Sequence, residues 1–179
     1  MSRACLLAGV LVLLVVSTRD HRVPVQDSVQ TQAGNVFLYD PSWNSLWAAE
    51  WPLIDGLNVW NFVSPVVHNA YMGWHFTGGT SVCTGQYDGL NVISWTDLPP
   101  GVVAMACRAG NLSECDIVIG RGPLWELGAL DFVNTIAHEV GHCMGFEHSD
   151  AEDSIMRPYT TTQRWLSWAD RAAVWQIGW

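Results

Sequence analysis

The sequence predicts one α+β domain, because segments of strand character and segments of helical character occur along the same chain. Five short runs rich in β-branched and aromatic residues are separated by Gly, Pro and Asp turns, and three runs carry apolar residues at helical spacing. Of the 179 residues, 49% are hydrophobic and 14% are charged. This length suffices for one ordinary domain, and this composition is typical of a packed core.

The N-terminus has the pattern of a secretory signal peptide over residues 1–17. Arg3 gives a positive start, the 13 residues from Ala4 to Val16 are apolar, and the small-residue rule for cleavage is met just before Thr18. The alternative is an uncleaved membrane anchor, but a bilayer-spanning helix needs about 20 apolar residues. We therefore expect a secreted protein that has no stable membrane association once the signal is removed.

A flexible leader is predicted at residues 18–34, which are polar and lack periodicity, followed by a folded domain over residues 35–179. The first strand is expected at residues 35–39, where a β-branched and aromatic run is closed by a turn. Pro52 is favourable at the first position of a helix, and apolar residues recur at helical spacing from there to about residue 62. The sequence thus predicts a first strand and a first helix.

Turn residues divide the remainder of the chain into four further strands and two further helices. The strands are expected at residues 68–76, 91–95, 102–107 and 115–119, and the helices at residues 130–144 and 167–177. In the last helix, Trp168, Ala172 and Trp175 share a face. Tryptophans at such spacing are expected to belong to the core.

The charge balance argues against two classes of partner. The formal net charge is −9, and all eight basic residues are arginines. An acidic chain without a basic patch is a poor match to nucleic acid or to an anionic membrane surface. The composition indicates no oligomer interface, so we expect a monomer.

Four cysteines remain after signal removal, and an even number in an exported protein predicts disulfide bonds. Cys107 and Cys115 flank a short polar loop, which favours a staple between them and leaves Cys83 to pair with Cys143. The alternative for Cys143 is a buried free thiol.

The chemistry is indicated by residues 138–148, which read HEVGHCMGFEH. His138 and His142 are four residues apart, so on a helix their imidazoles lie on one face and can share a zinc ion. Glu139 lies about 100° round the helix, where it can act as a general base without ligating the metal. Gly145 allows the chain to reverse and to return His148 as third ligand. Three protein ligands are typical of a catalytic zinc site.

Two other interpretations of this segment are weighed against a catalytic site. A non-catalytic zinc-binding module would have a damaged general base or a fourth protein ligand, whereas Glu139 is intact. A metallopeptidase that uses two histidines and a distant glutamate would not need His148. Chance alone would produce this spacing on the order of 10⁻⁵ times in a chain of this length and composition.

The segment resembles the active-site motif of the metzincin metallopeptidases, HExxHxxGxxH followed by a methionine turn. The turn matches residues 154–159 (SIMRPY), and the family implies that Met156 lies beneath the metal as an apolar base. Ser149 after the third histidine and Pro158 two residues after the methionine are similar to the matrixin branch, which includes the matrix metalloproteinases.

The resemblance implies a fold and an activity. The implied fold is a twisted five-stranded mixed sheet with one antiparallel edge strand, a packing helix, an active-site helix and a small C-terminal subdomain with the methionine turn and a final helix. The implied activity is that of a zinc-dependent endopeptidase, which hydrolyses internal bonds of extended protein or peptide substrates with metal-activated water.

The similarity extends to residues 98–108 (LPPGVVAMACR), which look like the matrixin edge strand that pairs with substrate. The resemblance implies that substrate pairs around Val103 and Ala104. It also implies that Pro158 and Tyr159 border the pocket for the side chain after the cut. Tyr159 stands one position earlier than the tyrosine of the family's pocket wall.

The chain also departs from the family. Animal matrixins have a histidine for a structural zinc where this chain has Met105, so one zinc ion is expected. The leader after the signal has no cysteine that could hold the enzyme latent; Asp20 or Asp27 could cap the metal instead, although a solvated leader is the simpler reading. A calcium site is possible, with aspartates that could equally cap backbone groups of turns: Asp88, Asp97 and Asp116.

Overall fold

A computed structural model describes residues 36–39, 50–61, 63, 70–74, 83, 90–109, 114–121 and 128–177. The predicted signal, leader and Asp88 lie outside these residues. The strands are β1 (Val36–Tyr39), β2 (Ala70–Trp74), β3 (Asn91–Thr96), β4 (Ala104–Ala109) and β5 (Glu114–Gly120). The helices with defined bounds are α1 (Glu50–Asn58), α2 (Ala129–Cys143) and α3 (Trp168–Ile177).

The strands form a mixed sheet in the order β2-β1-β3-β5-β4. The pairs β2–β1, β1–β3 and β3–β5 are parallel. Strand β4 lies at the edge and is antiparallel to β5. The predicted α+β class and the mixed sheet are confirmed. None of the described helices is long and apolar enough to cross a bilayer.

Helices α1 and α2 pack closely together over the sheet. Leu53, Leu57 and Trp60 are buried with the apolar residues of β5 and α2 in one core. A Cβ atom at Gly56 would lie 2.7 Å from Cγ2 of Ile136, so glycine permits the close approach of the two helices. Pro52 occupies the third position of α1 rather than the predicted first, which a helix tolerates because its first amide groups lack intrahelical acceptors. This core fixes the position of α2 relative to the sheet.

The predicted core role of two tryptophans in α3 is wrong. Trp168 is 84% exposed and Trp175 is 60% exposed, while the buried face carries Ala169, Asp170, Ala173 and Val174. Asp170 is fully buried and accepts hydrogen bonds from Ser154 Oγ and the Ile155 N–H group. The orientation of α3 is thus set by these buried hydrogen bonds and by small side chains, which allow a close approach, and not by its largest apolar groups.

The predicted presence of disulfide bonds is confirmed, but the predicted pairing is wrong. The bonds are Cys83–Cys107 and Cys115–Cys143, with Cα separations of 5.3 and 5.5 Å. In the register of β4 and β5, Cys115 lies opposite Arg108, so Cys107 and Cys115 are offset by one residue. Because side chains alternate along a strand, the two thiols point to opposite faces of the sheet. Cys115 therefore reaches α2 and bonds Cys143 at the end of that helix.

Removal of the Cys115–Cys143 bond is expected to destabilise the protein by about 2–4 kcal/mol. The bond closes a 28-residue separation and joins β5 to the last residue of α2, so its loss frees the unfolded chain and loosens the helix end. The double variant Cys115→Ala/Cys143→Ala should show this loss in urea unfolding. The double variant Cys83→Ala/Cys107→Ala removes the other disulfide bond but leaves α2 bonded to β5, and it is the matched control for effects at the end of the helix. Wild-type stability of the first variant would contradict the expectation.

Candidate metal centre and cleft

The three predicted histidine ligands converge on one point. His138 and His142 lie one turn apart on α2, and the Nε2 atoms of these residues are 3.0 Å apart. Nε2 of His148 lies 3.2 Å from that of His142 and 3.3 Å from that of His138. The chain reverses at Gly145, whose φ of 97° lies in the left-handed region that favours glycine. This reversal is what returns His148 to α2, as the sequence predicts.

Backbone carbonyl groups orient two of the rings. Nδ1 of His138 lies 2.9 Å from the Ile155 carbonyl oxygen, and Nδ1 of His142 lies 2.8 Å from that of Phe146. A carbonyl oxygen only accepts, so we assign the proton of each neutral ring to Nδ1 and a lone pair to Nε2. Burial lowers the pKa of His138 to about 4 and also lowers the pKa of His142. Both rings are therefore neutral at physiological pH, as metal ligands must be.

The donor set fits a zinc ion. A tetrahedral site with Zn–N bonds of about 2.0–2.1 Å places its nitrogens roughly 3.4 Å apart, close to the separations of the three Nε2 atoms. Lone pairs that face one another at such distances repel unless a cation lies between them. Among the His, Cys, Asp and Glu side chains that the structure describes, these three histidines form the group that could hold a metal ion.

Glu139 lies next to this group and is 6% exposed. Burial raises the pKa of its carboxyl group to about 7, against the lowering effect of a hydrogen bond that the group accepts from the Ala106 N–H of β4. A carboxyl group with such a pKa exchanges protons readily near neutral pH. The sequence placed Glu139 beside the metal site, and the structure adds its contact with the edge strand.

Met156 is fully buried, and the family resemblance assigns it the role of an apolar base for the metal site. It packs against Gly141 of α2, where a Cβ atom would overlap its sulfur and would also lie 2.9 Å from Cζ2 of Trp60. Glycine at position 141 thus leaves room for the methionine under the ligand-bearing turn of α2.

Asp170 supports the metal site through the methionine turn, a role that the sequence analysis missed. Besides Ser154 and Ile155, its carboxylate accepts a hydrogen bond from the Ser167 N–H group, at 2.9 Å. Ile155 in turn offers its carbonyl oxygen to His138. A capping-box pattern was available as a signal, since Ser167 and Asp170 have the spacing of an N-cap and N3 pair and bond each other's backbone.

A cleft of about 620 Å³ runs past the histidines between β4 and the end of the methionine turn. All four residues that were expected to contact substrate line it: Val103, Ala104, Pro158 and Tyr159. Tyr159 is 54% exposed, and the Arg157 guanidinium lies 4.4 Å above its ring. The cleft therefore combines the metal group, Glu139 and the expected substrate-binding residues in one continuous space.

Asn134 fixes one wall of this cleft and was also missed from the sequence. It is 2% exposed, accepts a hydrogen bond from the Thr161 N–H group, and donates one to the Gln163 carbonyl oxygen. These bonds tie the loop after Tyr159 to α2. A polar residue among the buried positions of an amphipathic helix is the one sequence signal of this role.

A calcium site stays an untested hypothesis. The Asp116 carboxylate accepts hydrogen bonds from the N–H groups of Cys83 and Val92, at 3.2 and 3.0 Å. Asp97 is exposed. Asp116 therefore serves the backbone around β3, as turn aspartates commonly do.

Comparison with known proteins identifies relatives of this site. The family model of the matrixin peptidases matches residues 86–177, just over half of the chain. The chain is 27% identical over 128 residues to stromelysin-3 of Xenopus laevis, which covers 64% of the chain and 24% of that relative. It is 41% identical over 56 residues to karilysin of Tannerella forsythia, covering 30% of the chain and 12% of the relative. A match to matrix metalloproteinase-A of Caenorhabditis elegans is 44% identical over 40 residues, or 22% of the chain and 8% of the relative. The chain thus matches less than a quarter of the length of each of these curated relatives.

Proposed function

The chain belongs to the matrixin family of metallopeptidases, and from this premise we propose that it is a secreted zinc-dependent endopeptidase that hydrolyses internal bonds of extended polypeptides. The observation that carries the proposal is the convergence of three Nε2 atoms within 3.3 Å of one another, beside a buried carboxyl group in an open cleft. Three histidine ligands and an adjacent base are the components that metal-assisted hydrolysis requires.

His138, His142 and His148 would hold the zinc ion, which when bound supplies a Lewis acid for the scissile carbonyl and lowers the pKa of water. Glu139 takes a proton from the attacking water and then delivers it to the departing amine. The raised pKa of Glu139 suits both steps, because the carboxyl group has to accept and release a proton in one cycle. Glu139 and its hydrogen-bond partner Ala106 both line the cleft.

The outer edge of β4 is the proposed docking line for an extended substrate. The Val103 carbonyl oxygen accepts a hydrogen bond from the Gly120 N–H group, so the Val103 peptide faces β5. Peptide groups alternate along a strand, and the N–H and C=O groups of Ala104 therefore point to the cleft, where a substrate strand can add. Val103 contributes its side chain to the cleft wall, and Pro158 and Tyr159 border the pocket for the residue after the cut.

The remaining assignments complete the proposal. Residues 1–17 form the secretion signal, residues 18–34 a leader, and residues 35–179 the catalytic domain with the full metzincin arrangement, acting as a monomer. Two disulfide bonds support an extracellular location, because such bonds persist in oxidising compartments.

Measurement of zinc binding tests the ligand assignment on which the proposed function depends. The purified protein is expected to bind one zinc ion per chain in competition with a chromogenic chelator, and His142→Ala should weaken that affinity by about 100-fold or more. Asp150→Asn, at an exposed position two residues after the third histidine, is the control and should bind as the wild type does. Unchanged zinc affinity in His142→Ala would refute the assigned ligand set.

A further inference from the structure

The cleft differs in charge from the chain as a whole. The formal net charge of the chain is −9. Among the described residues that line the cleft, however, the acidic and basic side chains other than histidine are Glu139, Arg108 and Arg157. Two of the eight arginines of this acidic chain thus line the same cleft as the three histidines. A cleft of this kind attracts segments of substrate that carry negative charge.

The two arginines lie toward different ends of the cleft. Arg157 follows Met156 and belongs to the wall with Pro158 and Tyr159. Its Nη1 donates a hydrogen bond to the Glu152 carbonyl oxygen, and its guanidinium covers the Tyr159 ring. Arg157 is therefore committed to the wall of the pocket for the residue after the cut.

Arg108 lies at the other end, near the C-terminus of α2. In β4 it shares a side-chain face with Ala104 and Ala106, and its partner in β5 is Cys115, which is bonded to the last residue of α2. Arg108 and His142 line the same cleft. The loop after Tyr159, by contrast, is hydrogen-bonded to Asn134, which lies two turns before His142 in α2.

A substrate strand along β4 would meet Arg108 at a definite place. Arg108 lies four positions after Ala104, or about 13 Å along an extended strand. Met105 belongs to the other face of β4, and on the face of Ala104 and Ala106 the two methyl groups leave room for a peptide. On that face, Arg108 is the first long side chain that an extended substrate would contact beyond the histidines. Since Pro158 and Tyr159 border the pocket after the cut, Arg108 faces substrate residues before it.

We propose that Arg108 is a specificity-determining residue that selects an aspartate or glutamate two or three positions before the scissile bond. This inference rests on the proposed peptidase function and deepens it. A planar guanidinium binds a carboxylate with two parallel hydrogen bonds, and the partial burial of Arg108 reduces the screening of such a pair by water. The nearby exposed Glu147 acts electrostatically on Arg108, so the substrate carboxylate would share or replace this interaction.

The test compares peptides that differ only by Glu or Gln at each of three positions before a common cleavage site. The zinc-loaded wild-type protein is expected to cleave the Glu peptide with a kcat/KM about fivefold or more above that of the Gln peptide at one of these positions. Arg108→Gln should bring that ratio to about one, and Arg108→Lys should retain part of it. Arg164→Gln removes an exposed arginine outside the cleft and should leave the ratio unchanged.

The outcomes separate this inference from the function on which it depends. Cleavage of Glu and Gln peptides at equal rates by the wild-type protein overturns the role of Arg108 and leaves the peptidase intact, and this result needs no variant to fold. A ratio that survives Arg108→Gln in a variant with a wild-type melting temperature overturns it as well. No cleavage of any peptide by folded, zinc-loaded protein overturns both proposals.

Discussion

Replacement of Glu139 with Gln is expected to lower kcat/KM for peptide cleavage by about 10³-fold or more while one zinc ion per chain remains bound. Glutamine has the shape of glutamate and can still accept the hydrogen bond from Ala106, but it cannot take a proton from water. Because Glu139 is outside the ligand group, the metal affinity should change little. Single-turnover cleavage of a quenched peptide, together with zinc content, measures the two effects separately.

An exposed glutamate provides the control for this variant. Glu152→Gln makes the same chemical change in the turn before Met156, where the side chain is exposed, and should cleave at close to the wild-type rate. If Glu139→Gln kept more than about a tenth of wild-type activity, the general-base role would have to be abandoned.

Replacement of Asp170 with Ala is expected to destabilise the protein by about 3 kcal/mol or more and to weaken zinc binding. The carboxylate accepts three hydrogen bonds inside the protein, from Ser154 Oγ and from the Ile155 and Ser167 N–H groups. Alanine leaves these donors buried without an acceptor. The loss also frees Ile155, whose carbonyl oxygen orients His138.

Urea unfolding and zinc competition measure the two consequences of this change. Asp170→Asn retains the shape and one acceptor oxygen and should lie between the wild type and alanine. Asp153→Ala changes an exposed aspartate immediately before the methionine turn and should have little effect on stability. Equal stability of Asp170→Ala and Asp153→Ala would show that the buried hydrogen bonds do not hold the turn.

The metal site could be predicted from the sequence because its geometry is local. His138 and His142 are related by one helical turn, and Gly145 allows the reversal that returns His148, so spacing alone predicts their convergence. Strand and helix patterns were informative for the same reason: they depend on neighbours in sequence. The carbonyl groups that orient the rings come from Ile155 and Phe146, and spacing gives no indication of them.

Features that depend on tertiary packing were not predictable in the same way. The disulfide pairing depends on a one-residue offset between β4 and β5, which the length of the connecting loop does not determine. The exposure of Trp168 and Trp175 follows from the buried hydrogen bonds of Asp170 on the opposite side of α3. Asn134 appears in the sequence as a polar residue in an apolar helix, and its partners emerge when the loop after Tyr159 folds back.

The central claim, that this cleft is a zinc-dependent peptidase site, is tested most directly by cleavage of a quenched peptide library by the purified protein, before and after chelation and after zinc is restored. The account predicts cleavage that stops when the chelator removes the metal and returns when zinc is added. Protein that is shown to be folded and zinc-loaded yet cleaves no peptide would contradict it and would indicate a non-catalytic zinc-binding module on the same fold.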